Sequence, residues 1–180
     1  MGMALSIPHY TVEDLEQFPD DGTRYELLDG VLLVTPQASL RHQVIATRLA
    51  TMLSTGMPKG VGEVVGPGAV VRAPLTQLQP DVLVYPAGFG LNVGWQDVTR
   101  HWLAVEIISR SSRVYDREFK RDAYFALGVR EVWLIDPWAK SVEICRVPGG
   151  GVVTTERFTW SVPDAGISVD VDVAALFMEL

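Results

Sequence analysis

WLAVEIISRSSRVYDREFKRDAYFALGVREVWLID, residues 102–136, decides the fold of this chain. It opens on an apolar run, Trp102 to Ile108, broken only by Glu106. A polar loop follows, then a segment from Tyr115 to Leu127 with helical spacing that carries Lys120 and ends at Gly128. A second apolar run, Val132 to Ile135, closes at Asp136-Pro137. Strands mixed with helices in this order imply an α/β sheet with both faces partly covered. A carboxylate inside a buried strand is costly unless a partner or a metal compensates it. The rest of the chain must supply that compensation.

Outward from this stretch, alternation and turn chemistry predict the other elements. Thr11 is a candidate N-cap with Asp14 three positions on, and Val12, Leu15 and Phe18 share a helical face. RYELLDGVLLVTP reads as two short strands around Asp29-Gly30, a strong hairpin signal, with Glu26 on the first strand. From Ser39 the period becomes helical, with His42, Ile45, Leu49 and Met52 on one face and Gly56 and Pro58 at the end. GEVVGPGAVVRA is strand-like, with a bulge or turn at Pro67-Gly68, and PDVLVYP is a short strand opening at Asp81. Residues 86–100 read as a loop. Lys140 to Val147 and residues 152–160 alternate as hairpin partners across Gly149 to Gly151, and the chain ends in a short helix or strand from Ile167. The expectation is one α/β domain over residues 1–180, a mixed central sheet flanked by helices, with extra hairpins at both ends.

Composition sets bounds on function. Hydrophobic residues are 48 % and charged ones 21 %, an ordinary balance for a soluble globular chain. No apolar run is long enough to span a bilayer, and the start, MGMALSIPHY, lacks the features of a signal peptide. The lone Cys145, in the alternating SVEICRV, reads as a packed thiol and fits a reducing cytoplasm. The net charge of −7 argues against broad non-specific nucleic-acid binding but leaves room for a small basic cleft. Lysine occurs only at positions 59, 120 and 140 against twelve arginines, so a lysine at 120 hints that arginine would not serve there.

Asp81, Glu106 and Lys120 form the chemical constellation. If the strands that hold the two acids pair, their carboxylates converge, and a divalent cation resolves their repulsion. Hard oxygen ligands suit Mg²⁺ or Mn²⁺. Such an ion polarises a phosphoryl oxygen and lowers the pKa of a bound water, while a nearby lysine orients that water or offsets developing charge. Bland alternatives stand beside each reading. Asp81 could be a strand-start residue, Glu106 could pair with an arginine, and Lys120 could bridge Asp116 one helical turn away. Glu26 could face solvent, and His42 could be a packed histidine. Tyr124 reads as core with its hydroxyl satisfied, and Asp136 as a strand-end cap. Between positions 110 and 121, Arg110, Arg113, Arg117, Lys120 and Arg121 face only Asp116 and Glu118. This local positive excess suits backbone phosphates or an ordinary solvated helix face.

Pro80-Asp81 followed by Val105-Glu106-Ile107 resembles the PD-(D/E)XK nuclease superfamily. YELLDGVLLV, the helix near His42, PDVLVYP, VEIISRSS, the Asp116, Lys120 and Tyr124 spacing, and GVREVWLIDP resemble more closely the Uma-type restriction-endonuclease family, over roughly residues 10 to 175. Two departures are visible: Ile108 stands where the superfamily lysine usually lies, and Arg110 where the family commonly has proline. The resemblance implies a restriction-endonuclease-like fold and a Mg²⁺-dependent DNA endonuclease. Asp81, Glu106 and the Ile107 carbonyl would bind metal, and Lys120, migrated to the following helix, would position the water. Glu26 and His42 would be accessory. A homodimer is also expected, since enzymes that cut two strands often pair. The competing expectation is a catalytically inactive nucleic-acid-binding or assembly module on the same fold.

Overall fold

The computed structural model describes residues 9–90, 92–109 and 119–178. The capping box forms at its N-terminal end. Asp14 Oδ2 accepts from the Thr11 N–H at 2.7 Å and Thr11 Oγ1 from the Asp14 N–H at 3.3 Å, opening the short helix α1, Val12–Leu15. β1 (Arg24–Leu28) and β2 (Val31–Thr35) pair antiparallel, with Leu28 opposite Val31. The intervening Asp29 and Gly30 have φ of 50° and 79°, the left-handed pair that a tight hairpin turn requires. Ser39 caps α2, Leu40–Gly56, which buries Ile45, Leu49 and Leu53. The buried stripe therefore runs through Leu53, and Met52 is only partly buried against it.

GEVVGPGAVVRA is one strand-like passage in sequence but serves two sheets. β3 (Gly62–Val65) is the edge of a six-stranded sheet, whereas β4 (Val70–Arg72) closes a four-stranded one of order β2-β1-β5-β4. Proline at 67 donates no ladder bond, so the pairing breaks there. β5, Thr76–Leu78, is too short for its alternation to be legible in sequence. Gly66 lets the two layers approach: a Cβ on it would lie 2.6 Å from the backbone oxygen of Asp81. Gly66→Ala is therefore expected to displace the start of the next strand and to cost about 1–3 kcal/mol, measurable by urea denaturation.

The six-stranded sheet continues through β6 (Val82–Pro86), β7 (His101–Ile107), β8 (Val129–Asp136), β9 (Ser141–Val147) and β10 (Gly150–Thr154), in the order β10-β9-β8-β7-β6-β3. Residues 86–100 contain one 3₁₀ turn, Trp95–Asp97. β7 and β8 are parallel, and every other pair in this sheet is antiparallel. A parallel pair needs a long crossover, and this one includes α3, Arg121–Ala126. The expected helix over residues 115–127 is thus described only from residue 119 on. The run 152–160, expected as one strand, is divided between β10 and β11 (Phe158–Ser161), which pairs with β12 (Ser168–Val171) as a separate two-stranded sheet before α4, Val173–Leu176.

All seven residues of β7 are buried, as expected of a strand covered on both faces. On one face Leu103, Val105 and Ile107 pack in a core with α2, α4 and the β11–β12 pair. On the other, Ala104 and Ile108 pack with Tyr124 of α3 and with Val70 and Leu78 of the four-stranded sheet. Strand alternation sends Glu106 to this second face, between Ala104 and Ile108. Cys145 lies fully buried there too, as a packed thiol.

Candidate active site

Sheet register brings the two acids together. Val82 pairs with Val105, and the Asp81 N–H donates to the Val105 carbonyl at 2.9 Å, so Asp81 stands opposite Glu106. Asp81 Oδ2 accepts from the Ile107 N–H at 2.7 Å, which draws its side chain across to β7. Two basic side chains also hold it: Arg24 at 2.8 Å from Oδ1, and His42 Nε2 at 2.9 Å from Oδ2. Arg24 additionally donates to the Gln79 carbonyl at 3.2 Å. Burial alone would raise the Asp81 pKa. His42, Arg24 and the Ile107 N–H together outweigh it and hold the carboxyl below its usual range.

Glu106 Oε1 accepts from the Tyr124 hydroxyl at 2.6 Å and from Lys120 Nζ at 3.2 Å. Lys120 Nζ also lies 2.7 Å from Glu26 Oε2, an ion pair by distance although its angle is not that of a hydrogen bond. Glu26 Oε1 accepts from the Gln79 N–H at 2.7 Å. Glu26, Asp81, Glu106 and Lys120 are each 5 % exposed or less, so these ionic groups sit where unpaired charge is most costly. Burial first, then the charges of Glu106 and Glu26, push the Tyr124 hydroxyl well above its ordinary pKa, which keeps it a phenol able to donate. Burial would lower the Arg24 pKa, but Asp81, Glu106 and Glu26 more than offset it, and Arg24 remains a fixed cation. Tyr124→Phe preserves the packing and deletes the bond to Glu106. It is expected to cost about 1.5–3 kcal/mol, the worth of a hydrogen bond to a charged group, read by chemical denaturation.

Asp81, Glu106 and Lys120 open on a cavity of about 510 Å³, whose walls include Arg24, Arg41 and His42. Glu26 stands behind Lys120, fully buried and outside the wall. Ser39, His42 and Gln43 also line the cavity, so the N-terminal end of α2 faces it, and that end favours an anion. The walls thus combine the carboxylates of Asp81 and Glu106 with the basic side chains of Arg24, Arg41 and Lys120. Among the described residues no three His, Cys, Asp or Glu side chains are grouped to hold a metal ion. The available donors are hard carboxylate oxygens on Asp81 and Glu106, a set that fits Mg²⁺, which takes one or two carboxylates and keeps its waters.

Asp81, Glu106, Lys120, Glu26 and His42 are therefore one cluster, and Ile107 adds its backbone to the same wall. His42 is neither simply packed nor solvated: its Nε2 contacts Asp81 Oδ2 at 2.9 Å. Lys120 is buried and bonded to Glu106 rather than carried on a surface face. Arg121 is not in the cavity wall; its Nε bonds Asp122 Oδ1 at 2.7 Å. Arg110, Arg113 and Arg117 lie outside the described residues, as does Asp116. Asp136 caps the turn after β8, as a strand-end residue should. Sequence reasoning missed Arg24 and Arg41. The available signal for Arg24 was its position two residues before Glu26 on one strand face. Arg41 directly precedes His42 at the start of a helix that was itself legible.

A family model described as "Putative restriction endonuclease", Uma2, matches residues 12–172. The crystal structure of a putative nuclease belonging to DUF820 from Anabaena variabilis ATCC 29413 superposes with a TM-score of 0.72 at 17 % identity, over 93 % of this chain and 97 % of that one. At that identity the likeness establishes the shared fold. No curated protein matches the chain. The match across nearly the whole length, on the fold just described, places the chain in a family: it belongs to the Uma2 family of putative restriction endonucleases.

Proposed function

We propose that this protein is a Mg²⁺- or Mn²⁺-dependent DNA endonuclease, with Asp81, Glu106 and Lys120 at its centre. The observation that carries the reading is the register of β6 on β7, which puts Asp81 opposite Glu106 while Lys120 Nζ stands 3.2 Å from Glu106 Oε1. Held by Asp81, Glu106 and the Ile107 carbonyl, a divalent cation would supply a Lewis acid for a phosphoryl oxygen and a water of lowered pKa. The chain's own groups do the rest. Arg41 and the first turn of α2 attract the phosphodiester. Lys120 orients the attacking water and offsets charge as the new P–O bond forms and the bond to the departing sugar oxygen breaks. Tyr124 fixes Glu106 through its hydroxyl, and Arg24 and His42 hold Asp81 in place. Glu26, 2.7 Å from its Nζ, holds Lys120 in place.

The test is cleavage of plasmid DNA with Mg²⁺ or Mn²⁺ by the wild type, Glu106→Ala and Lys120→Ala. Loss of cleavage by about 10²-fold or more in both variants is expected, the scale seen when a transition-state-stabilising group is removed. Equal cleavage by all three would sink the reading. A second reading, a non-catalytic nucleic-acid-binding module, is favoured by one observation: both oxygens of Asp81 already carry donors from Arg24, His42 and Ile107. Calorimetry separates the two, since the module would bind DNA but no divalent cation at millimolar concentration.

A further inference from the structure

Trp138 lines the same cavity as Asp81, Glu106 and Lys120, and it is 40 % exposed. Trp102, Trp133 and Trp160 are instead 6 % exposed or less. The turn that carries Trp138 is held from two directions. Asp136 Oδ1 accepts the N–H groups of Trp138 and Ala139, each at 3.0 Å, and the Arg41 guanidinium donates to the Pro137 carbonyl. Arg41 precedes His42 on α2, so the turn is tied to the same helix that contacts Asp81. An indole on a fixed backbone at the wall of a polar cavity has the chemistry of a stacking platform for a nucleobase.

The surroundings match. Gln37 and Gln43 line the cavity with amides that can bond base edges, and Arg41 Nε is a buried donor with no partner among the described residues. A base inside an intact duplex is stacked on its neighbours and offers no face to an indole; only an unpaired base does. The cavity, about 510 Å³, admits a nucleotide unit. We propose that the site takes an unpaired DNA strand, either single-stranded or the unpaired arm of a branched duplex, with one base stacked on Trp138. The location of the scissile phosphate rests on the nuclease reading above; the stacking contact has its own readout.

The experiment is fluorescence anisotropy of the full chain in Ca²⁺ with a short fluorescein-labelled DNA strand, alone or annealed to its complement, with strand integrity checked on a denaturing gel. Wild type is expected to bind the single strand more tightly than the duplex. Trp138→Ala should weaken single-strand binding by about 5- to 150-fold, the range for loss of one stacked base, and leave duplex binding unchanged. Trp138→Phe, which keeps an aromatic face, should retain most of the affinity. The turn's hydrogen bonds use the backbone at 138, so both substitutions preserve them. Single-strand affinity indifferent to Trp138→Ala, an equal loss on both DNA forms, or a wild-type preference for duplex would overturn the proposal. A parallel cleavage assay in Mg²⁺ keeps the two readings apart. Duplex cleavage with no Trp138-dependent binding removes this proposal and leaves the nuclease. Trp138-dependent single-strand binding without cleavage removes the nuclease and leaves the stacking site.

Discussion

Lys120→Met is expected to destabilise the protein by about 3–5 kcal/mol in the absence of divalent cations, the cost of leaving buried charge uncompensated. For a chain of this length that corresponds to a fall of about 6–20 °C in Tm. The basis is the pair of contacts at Lys120 Nζ, 2.7 Å to Glu26 and 3.2 Å to Glu106, with all three residues 4 % exposed or less. Methionine replaces the four-atom apolar stem and removes the ammonium group with its donors, so packing loss stays small. The two carboxylates are then left facing each other in a poorly solvated site. A cation bound at Asp81 and Glu106 restores part of the missing positive charge, so millimolar Mg²⁺ is expected to recover part of the loss by binding only the folded state. Urea denaturation with and without Mg²⁺ measures both effects. A loss below about 1 kcal/mol, the worth of a surface pair, would show that Lys120 is not the counter-charge described here.

The second large effect is on the pH dependence of stability, and it comes from the far end of β7. His101 opens that strand, is 4 % exposed, and neither ring nitrogen has a partner among the described residues. Burial lowers its pKa to about 4. The unfolded chain protonates this histidine near 6.5. Between these values the unfolded state binds more protons, so stability is fully present above about pH 6.5 and falls as the pH drops toward 4. The total is about 3 kcal/mol. Asp81 has the same sign but a lower window. Its depressed pKa stabilises the fold above the ordinary carboxylate range, near pH 4, and that contribution is lost as the pH falls through the folded value. The two therefore act in sequence on acidification. His101→Phe should flatten the curve between pH 6.5 and 4 while leaving the steeper acid limb in place. An unchanged slope in that interval would contradict the assignment.

Much of this arrangement was legible before any coordinates. Glu106 stood out because a buried strand has few other uses for a carboxylate. Asp81 and Lys120 followed from strand pairing, the lysine bias and family spacing. The hairpin at Asp29-Gly30 and the caps at Thr11 and Ser39 are local chemistry, and local chemistry is written in adjacent residues. What was not legible depends on how the layers close. Gly66 and Pro67 divide one strand-like passage between two sheets, and no short-range pattern distinguishes that from a bulge. β5 has only three residues, fewer than an alternation needs. Arg24 reads as an ordinary strand residue until the four-stranded sheet folds over β6 and β7 and sets it beside Asp81. Arg41 and Trp138 meet through a backbone carbonyl at Pro137, a contact that carries no residue-type signal. The basic run was legible as a composition, yet its described member Arg121 turns to Asp122, while the cavity draws its cations from β1 and α2.

The proposed function stands on Asp81 and Glu106, both lining the cavity, together holding a divalent cation. Anomalous scattering from crystals soaked in Mn²⁺ addresses it most directly. A single strong peak in contact with carboxylate oxygens of both residues is expected, as is its loss in Glu106→Gln. Saturating Mn²⁺ with no peak at that pair, or an undiminished peak in the variant, would contradict it.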